Sequence, residues 1–158
     1  MAAEPTTQPS QLSPEAIAYA QQFFAAARQG LVDVLRAPLE AGLPVDLTNE
    51  NGDTLLMLAA YHGNLEAVEL LLKHGANPNS LNDRGQSPLA GAIFKSSDSI
   101  AQALLNAGAN PDFGQPTAWQ TCILFKTLPK WEEKFAEARR RRDEREAEAA
   151  REAGAEGQ

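Results

Sequence analysis

Hydrophobic positions in this chain fall into short helical stripes separated by glycine, and the clearest pair lies between Thr54 and Asn79, TLLMLAAYHGNLEAVELLLKHGANPN. An apolar run ends in Ala59 and Ala60, Gly63 breaks it, and Leu65, Val68, Leu71 and Leu72 resume at helical spacing until Gly75. The pattern predicts two short helices back to back. Each has about two to three turns, fewer than the roughly 12–15 residues an isolated helix needs in water. The pair must therefore bury its stripe against neighbours.

The neighbours are copies of the same pattern. Displacing the sequence by 33 places Ala26 and Ala27 on Ala59 and Ala60, Gly30 on Gly63, Leu39 on Leu72, Gly42 on Gly75 and Gly52 on Gly85. A second displacement carries Leu56 to Leu89, Ala59 to Ala92, Leu71-Leu72 to Leu104-Leu105, and Gly75-Ala76-Asn77-Pro78 to Gly108-Ala109-Asn110-Pro111. Matched glycines in one register identify a repeat array.

The stretch from Gly63 to Asn79 closely resembles the second half of an ankyrin repeat, and Ser87-Pro88-Leu89-Ala90 resembles the Thr-Pro-Leu-His that opens one. The resemblance covers about residues 14–113 and a degenerate unit to about residue 129, with the look of a small stand-alone bacterial stack. It departs where Leu55 and Met57 stand for the usual Pro and His, where Ala90 replaces His, and where Ser96-Ser97-Asp98 replaces Gly-His-Leu. The implied fold is an all-α repeat solenoid: an ankyrin stack of helix-turn-helix units with β-hairpin finger loops, followed by a charged C-terminal helix.

Taken in order, residues 1–12 are rich in Pro, Thr and Gln and are expected to form a flexible leader. The stack is expected over 13–129, with units at about 13–48, 49–81 and 82–113 and a degenerate cap at 114–129. Ser13-Pro14-Glu15 is a helix start, and the first helix, carrying Ile17, Ala20, Phe23, Phe24 and Ala27, replaces a missing hairpin. Pro38 should shorten or kink the next helix. Asn51-Gly52 marks the turn of the first finger, Asn82 to Gln86 repeats it, and Phe113 to Thr117 forms a shorter third. Trp119 to Leu128 reads as a cap helix interrupted by Pro129. A capping and charged helix follows over 130–158, with Trp131, Phe135 and Ala138 against the stack, opposite charges paired as Glu137–Arg141, Arg140–Glu144 and Arg142–Glu146, and a frayed end from Gly154.

Charge changes the picture in one respect. Residues 1–129 carry 6 basic and 12 acidic side chains and residues 130–158 carry 8 and 9, so the stack holds most of the net −7. An acidic surface repels phosphate, which argues against nucleic acid as its partner. The single cysteine, Cys122, allows no internal disulfide and suits a reducing compartment. No apolar run approaches the roughly 20 residues of a membrane span, and the amino terminus lacks a signal-peptide pattern. A cytoplasmic protein, monomeric on its own, is expected.

Candidate chemistry is sparse. His62 and His74 are the only imidazoles, and with one Cys they offer no zinc spacing. There is no phosphate-binding glycine loop. No enzyme activity, cofactor or metal is expected. The run Arg139 to Arg142 is embedded among Glu132, Glu133, Glu137, Asp143, Glu144 and Glu146, and reads as a solvated helix face.

Surface recognition remains. The resemblance implies binding of a partner protein through finger tips and the exposed, concave side of the first helices. The matching positions are Arg28 and Gln29 in the first unit, Glu50, Asn51, Asp53, Tyr61 and His62 in the second, and Asp83, Arg84, Gln86, Phe94 and Lys95 in the third. Trp119 either extends this row or turns inward to cover the cap, and Phe94 faces the same choice. The competing function makes the charged C-terminal helix an assembly or nucleic-acid-tethering arm, with the repeats as its base.

Overall fold

A hydroxyl residue opens each of four helices. In the computed structural model, which describes residues 13–157, the side-chain oxygens of Ser13, Thr54, Ser87 and Thr117 accept the backbone N–H of Ala16, Met57, Ala90 and Gln120 at 3.0–3.1 Å. These caps start α1 (Pro14–Gln29), α3 (Leu55–Tyr61), α5 (Pro88–Phe94) and α7 (Ala118–Leu124). Each is followed by a second helix: α2 (Val32–Glu40), α4 (Leu65–Lys73), α6 (Asp98–Asn106) and α8 (Leu128–Glu156). First helices pack on first helices, α1 on α3 on α5 on α7, and second on second, so the core runs the length of an all-α ankyrin-type stack.

The break between paired helices is the same in all four units. Gly30, Gly63, Ser96 and Lys126 take left-handed φ values of 72°, 78°, 56° and 58°. The next residue then donates its N–H back to Ala26, Ala59, Ala92 or Cys122 at 2.9 Å, closing the helix end. Only the first two are glycine. Gly30 is required on two counts, because a Cβ there would also lie 2.8 Å from Oδ1 of Asn64, whose Nδ2 donates to the carbonyls of Ala27 and Arg28.

Between these breaks Leu55, Leu56, Ala59, Val68, Leu71, Leu89, Ala92 and Leu104 are buried. The small residues let neighbouring helices approach, and each buried leucine contributes about 1.5–3 kcal/mol of transfer free energy. The fingers are tight turns more than strands. The first carries one antiparallel bridge, Thr48 to Thr54, and turns on Asn49, whose Oδ1 accepts from Asn51 and Asp53; Asn82 builds the second in the same way with Arg84 and Gln86.

Several expectations change. The leader at 1–12 lies outside the described residues. Ile17 is exposed, because α1 is 16 residues long against seven in α3 and its first turns outrun the helix it packs on. Pro38 does not shorten α2, which has nine residues like α4 and α6. Pro129 interrupts nothing: α7 has already ended at Leu124, and Pro129 sits in the first turn of α8, where no backbone donor is needed. α8 thus opens before Lys130 and continues through Gly154 to Glu156, since one glycine costs about 1 kcal/mol among residues that favour helix. No helix among the described residues is long and apolar enough to cross a membrane.

Candidate functional site

The last residue and the C-cap of each short first helix stand on one side of the stack. In α3 these are Tyr61 and His62, in α5 Phe94 and Lys95, in α7 Leu124 and Phe125. All six are exposed, Phe94 at 52% and Leu124 at 73%. Phe94 therefore faces out, with its ring edge-on to Phe125 at 5.4 Å. Tyr61 packs edge-on with His62 at 5.5 Å and carries the Lys95 ammonium 4.9 Å above its ring. The positions form an aromatic and aliphatic column crossing three units.

Between the column and the fingers lies a groove of about 490 Å³. Leu58, Ala90 and Gly91 lie along it, Tyr61, Phe94, Leu124 and Phe125 line its helix side, and Asp53, Arg84 and Gln86 its finger side. Gly91 leaves room there: a Cβ at that position would meet the Tyr61 ring at 3.7 Å.

The finger residues divide into two kinds. Asn51, Asp53 and Gln86 hold the fingers together: the Asn51 carbonyl accepts from Asp83 N–H at 3.0 Å, while Asp53 and Gln86 each accept from Asn82 Nδ2 at 2.9 Å. Glu50, Asp83 and Arg84 have exposed side chains and, among the described residues, form no ion pair. Arg28 and Gln29, at the end of α1, are exposed in the positions that Tyr61 and His62 occupy one unit later.

Trp119 does not extend the row. It is half-buried, 6.3 Å from the Phe135 ring and under the Arg139 guanidinium at 4.8 Å. Leu124 and Phe125 take that place, and sequence reasoning missed them. The signal was there: the capping residues Thr54, Ser87 and Thr117 are spaced 33 and then 30, so the last unit is three residues short and a fixed register misses its helix end.

The basic run is tied down. Arg139 donates from Nε and Nη2 to Asp112 at 2.9 and 2.7 Å, Arg142 reaches Asp112 and Asp143, and Arg140 and Arg141 both pair with Glu137. Of the three expected pairs along the helix only Glu137–Arg141 forms, because Asp112 draws Arg142 toward the stack and Arg140 turns back to Glu137. The Arg139 hydrogen bond holds the Asp112 carboxyl below the usual aspartate range, against a smaller opposing effect of burial. Burial pushes the Cys122 thiol up, away from the thiolate that a nucleophile needs. His74 closes α4 as its C-cap. Among the described residues no cluster of three His, Cys, Asp or Glu could hold a metal ion.

Comparison with known proteins agrees with this architecture. A family model described as ankyrin repeats, three copies, matches residues 23–114. A curated protein of Pseudomonas aeruginosa, whose name provisionally assigns it ankyrin repeats, is 45% identical over 60 residues, 38% of this chain and 35% of that relative. The match thus spans about a third of the relative's length.

Proposed function

We infer the function from one premise: this chain belongs to the ankyrin-repeat family, whose repeats are in general protein-interaction modules. We propose that it is a non-enzymatic binding module in the cytoplasm, monomeric on its own, that holds another protein on the finger tips and the concave face of its first helices. The observation that carries this reading is the exposed column of Tyr61, Phe94 and Leu124 beside Arg84, in which Tyr and Arg are of the kinds that dominate interfaces and large apolar side chains stay exposed. A stack braced from finger to finger presents this face preformed, so association spends little on ordering.

The rival reading gives the work to α8. As a nucleic-acid tether it needs free positive charge, and each arginine from 139 to 142 is paired with an acid; as an assembly arm it is tested by deletion.

The test is a paired affinity purification from native extract, wild type against Tyr61→Ala/Arg84→Ala, read by quantitative mass spectrometry. A protein retained by the first and lost from the second, with circular dichroism unchanged, is expected. Equal recovery by both would remove the concave face from the function and turn attention to deletion of residues 146–158.

A further inference from the structure

The groove's charge is opposite to that of the stack around it. Residues 1–129 hold 12 acidic and 6 basic side chains, yet three of those six, Arg84, Lys95 and Lys126, either line the groove or directly follow its lining residues Phe94 and Phe125. By the same measure only two of the twelve acids are there: Asp53, which lines the groove and accepts a hydrogen bond from Asn82 at 2.9 Å, and Asp83, which follows the lining residue Asn82. Among the described residues none of the three cations is in an ion pair, although Lys95 lies over the Tyr61 ring. An occupant bearing carboxylates is favoured here and a basic one is not.

Shape narrows the occupant further. The lining side chains Tyr61, Phe94 and Leu124 come from the successive first helices α3, α5 and α7, whose axes lie about 8–10 Å apart in ordinary packing, so apolar contacts recur along the groove at about that spacing. In a polyproline II segment, an extended form with three residues per turn, residues three apart lie on one side and are separated by about 9 Å. Resting on the concave-face reading above, we propose that the groove takes an acidic segment of a partner protein in extended polyproline II form, with two apolar side chains three residues apart packed against the row of Tyr61, Phe94 and Leu124 and a carboxylate meeting Arg84.

The experiment selects from a displayed library of random 12-residue peptides on the full chain. Enriched peptides are expected to carry two large apolar residues three apart among Asp and Glu. A synthetic consensus peptide, followed by fluorescence anisotropy, is expected to lose at least tenfold in affinity on Gly91→Leu, which fills the groove from a helix position that tolerates a side chain, and on Leu124→Ser, which removes an exposed wall without touching the core. With Arg84→Glu binding falls, and exchanging the peptide's acid for Lys restores part of it.

Enrichment of basic or anchorless peptides, or binding indifferent to Gly91→Leu, overturns the proposal. So does failure to select any peptide. A consensus lost on Glu50→Ala/Asp83→Ala but kept on Gly91→Leu overturns it while leaving the finger-tip part of the general reading standing. A concentration-dependent dimer in light scattering that Leu124→Ser abolishes assigns the groove to a second copy of this chain, and also overturns it.

Discussion

The joints between the inner units and the joint to the last one are built from different materials. Between inner units, small polar side chains link to the next unit's backbone: Asp46 Oδ1 accepts from Asn77 N–H at 3.0 Å, Asn79 Oδ1 accepts from Asn110 N–H at 2.7 Å, and Asn79 Nδ2 donates to the Gly108 carbonyl at 3.1 Å. Asp112 stands in the same place one repeat further on, but the next unit offers no matching turn, because α8 continues past the point at which α4 and α6 end. Its carboxylate instead takes the Arg139 side chain, stacked over Trp119, and the joint is filled by Trp131 and Phe135, buried and stacked with centroids 6.2 Å apart. Inner joints are specified by register. The end joint lies out of register and is held by bulk, which is how a solenoid can stop without leaving its last unit uncovered.

The largest effect is expected at the bulky joint. Phe135→Ala should cost about 3–5 kcal/mol. Trp119 and Trp131, the two tryptophans of the chain, both lie in the last unit. Their fluorescence reads that joint, while far-ultraviolet circular dichroism reads the whole stack. In urea the tryptophan transition of Phe135→Ala should move to lower denaturant ahead of the dichroism. Coincident shifts would mean that the two kinds of joint melt as one.

The inner joint breaks at Gly52. It has φ of 75°, and a Cβ there would collide with Asp83 Oδ1 and lie 2.9 Å from Asp83 N. Gly52→Ala should cost about 2 kcal/mol from left-handed strain and the displaced second finger, with a larger shift in the dichroism transition than in the tryptophan one. Equal shifts would show that the fingers brace the last unit as strongly as the inner ones.

A smaller effect of opposite sign is expected where a side chain occupies the left-handed position between helices. Ser96→Gly and Lys126→Gly should each stabilise by about 0.5–1 kcal/mol, the relief of strain exceeding the added freedom of the unfolded chain. Lys126→Gly should raise the tryptophan midpoint, and Ser96→Gly the midpoint seen by dichroism. No gain at Lys126 would place that residue's backbone at no net cost.

The inner units were legible because their signals are local. Period, glycine spacing and capping hydroxyls are written within 33 residues, and the packing of first helices on first helices follows from the stripe they define. The last unit was harder to read because its information is tertiary. Three residues are missing from its connection, so Trp119 was left between the row and the cap while Leu124 and Phe125 went unnamed, and Pro129 looked like an interruption where it opens a helix. Arg142 was assigned to Glu146 four residues on, a rule of isolated helices that an acid on another element overrides. At the candidate site the sequence named side chains and missed the groove, because its depth depends on Gly91 and on where three helix ends fall.

The smallest effect distinguishes the two joints by pH. The Arg139 hydrogen bond keeps the folded Asp112 carboxyl below its unfolded value, so the folded state binds that proton less readily than the unfolded one. The contribution is therefore complete above the ordinary aspartate value of about 3.9 and disappears as pH falls through the lowered one. Both partners are partly exposed, which limits it to under about 1 kcal/mol. Asp112→Asn should lower the tryptophan midpoint slightly at pH 7, less in high salt, and the difference from wild type should shrink steadily once pH falls below about 4. Asn79→Ala, at the equivalent inner position, loses two neutral hydrogen bonds, and its deficit should not change over the same range. A deficit at Asp112 that persisted at low pH would mean that the side chain works there without its charge; no deficit at pH 7 would mean that Arg139 is held by the Trp119 ring alone, and that the last joint depends on packing with no help from charge.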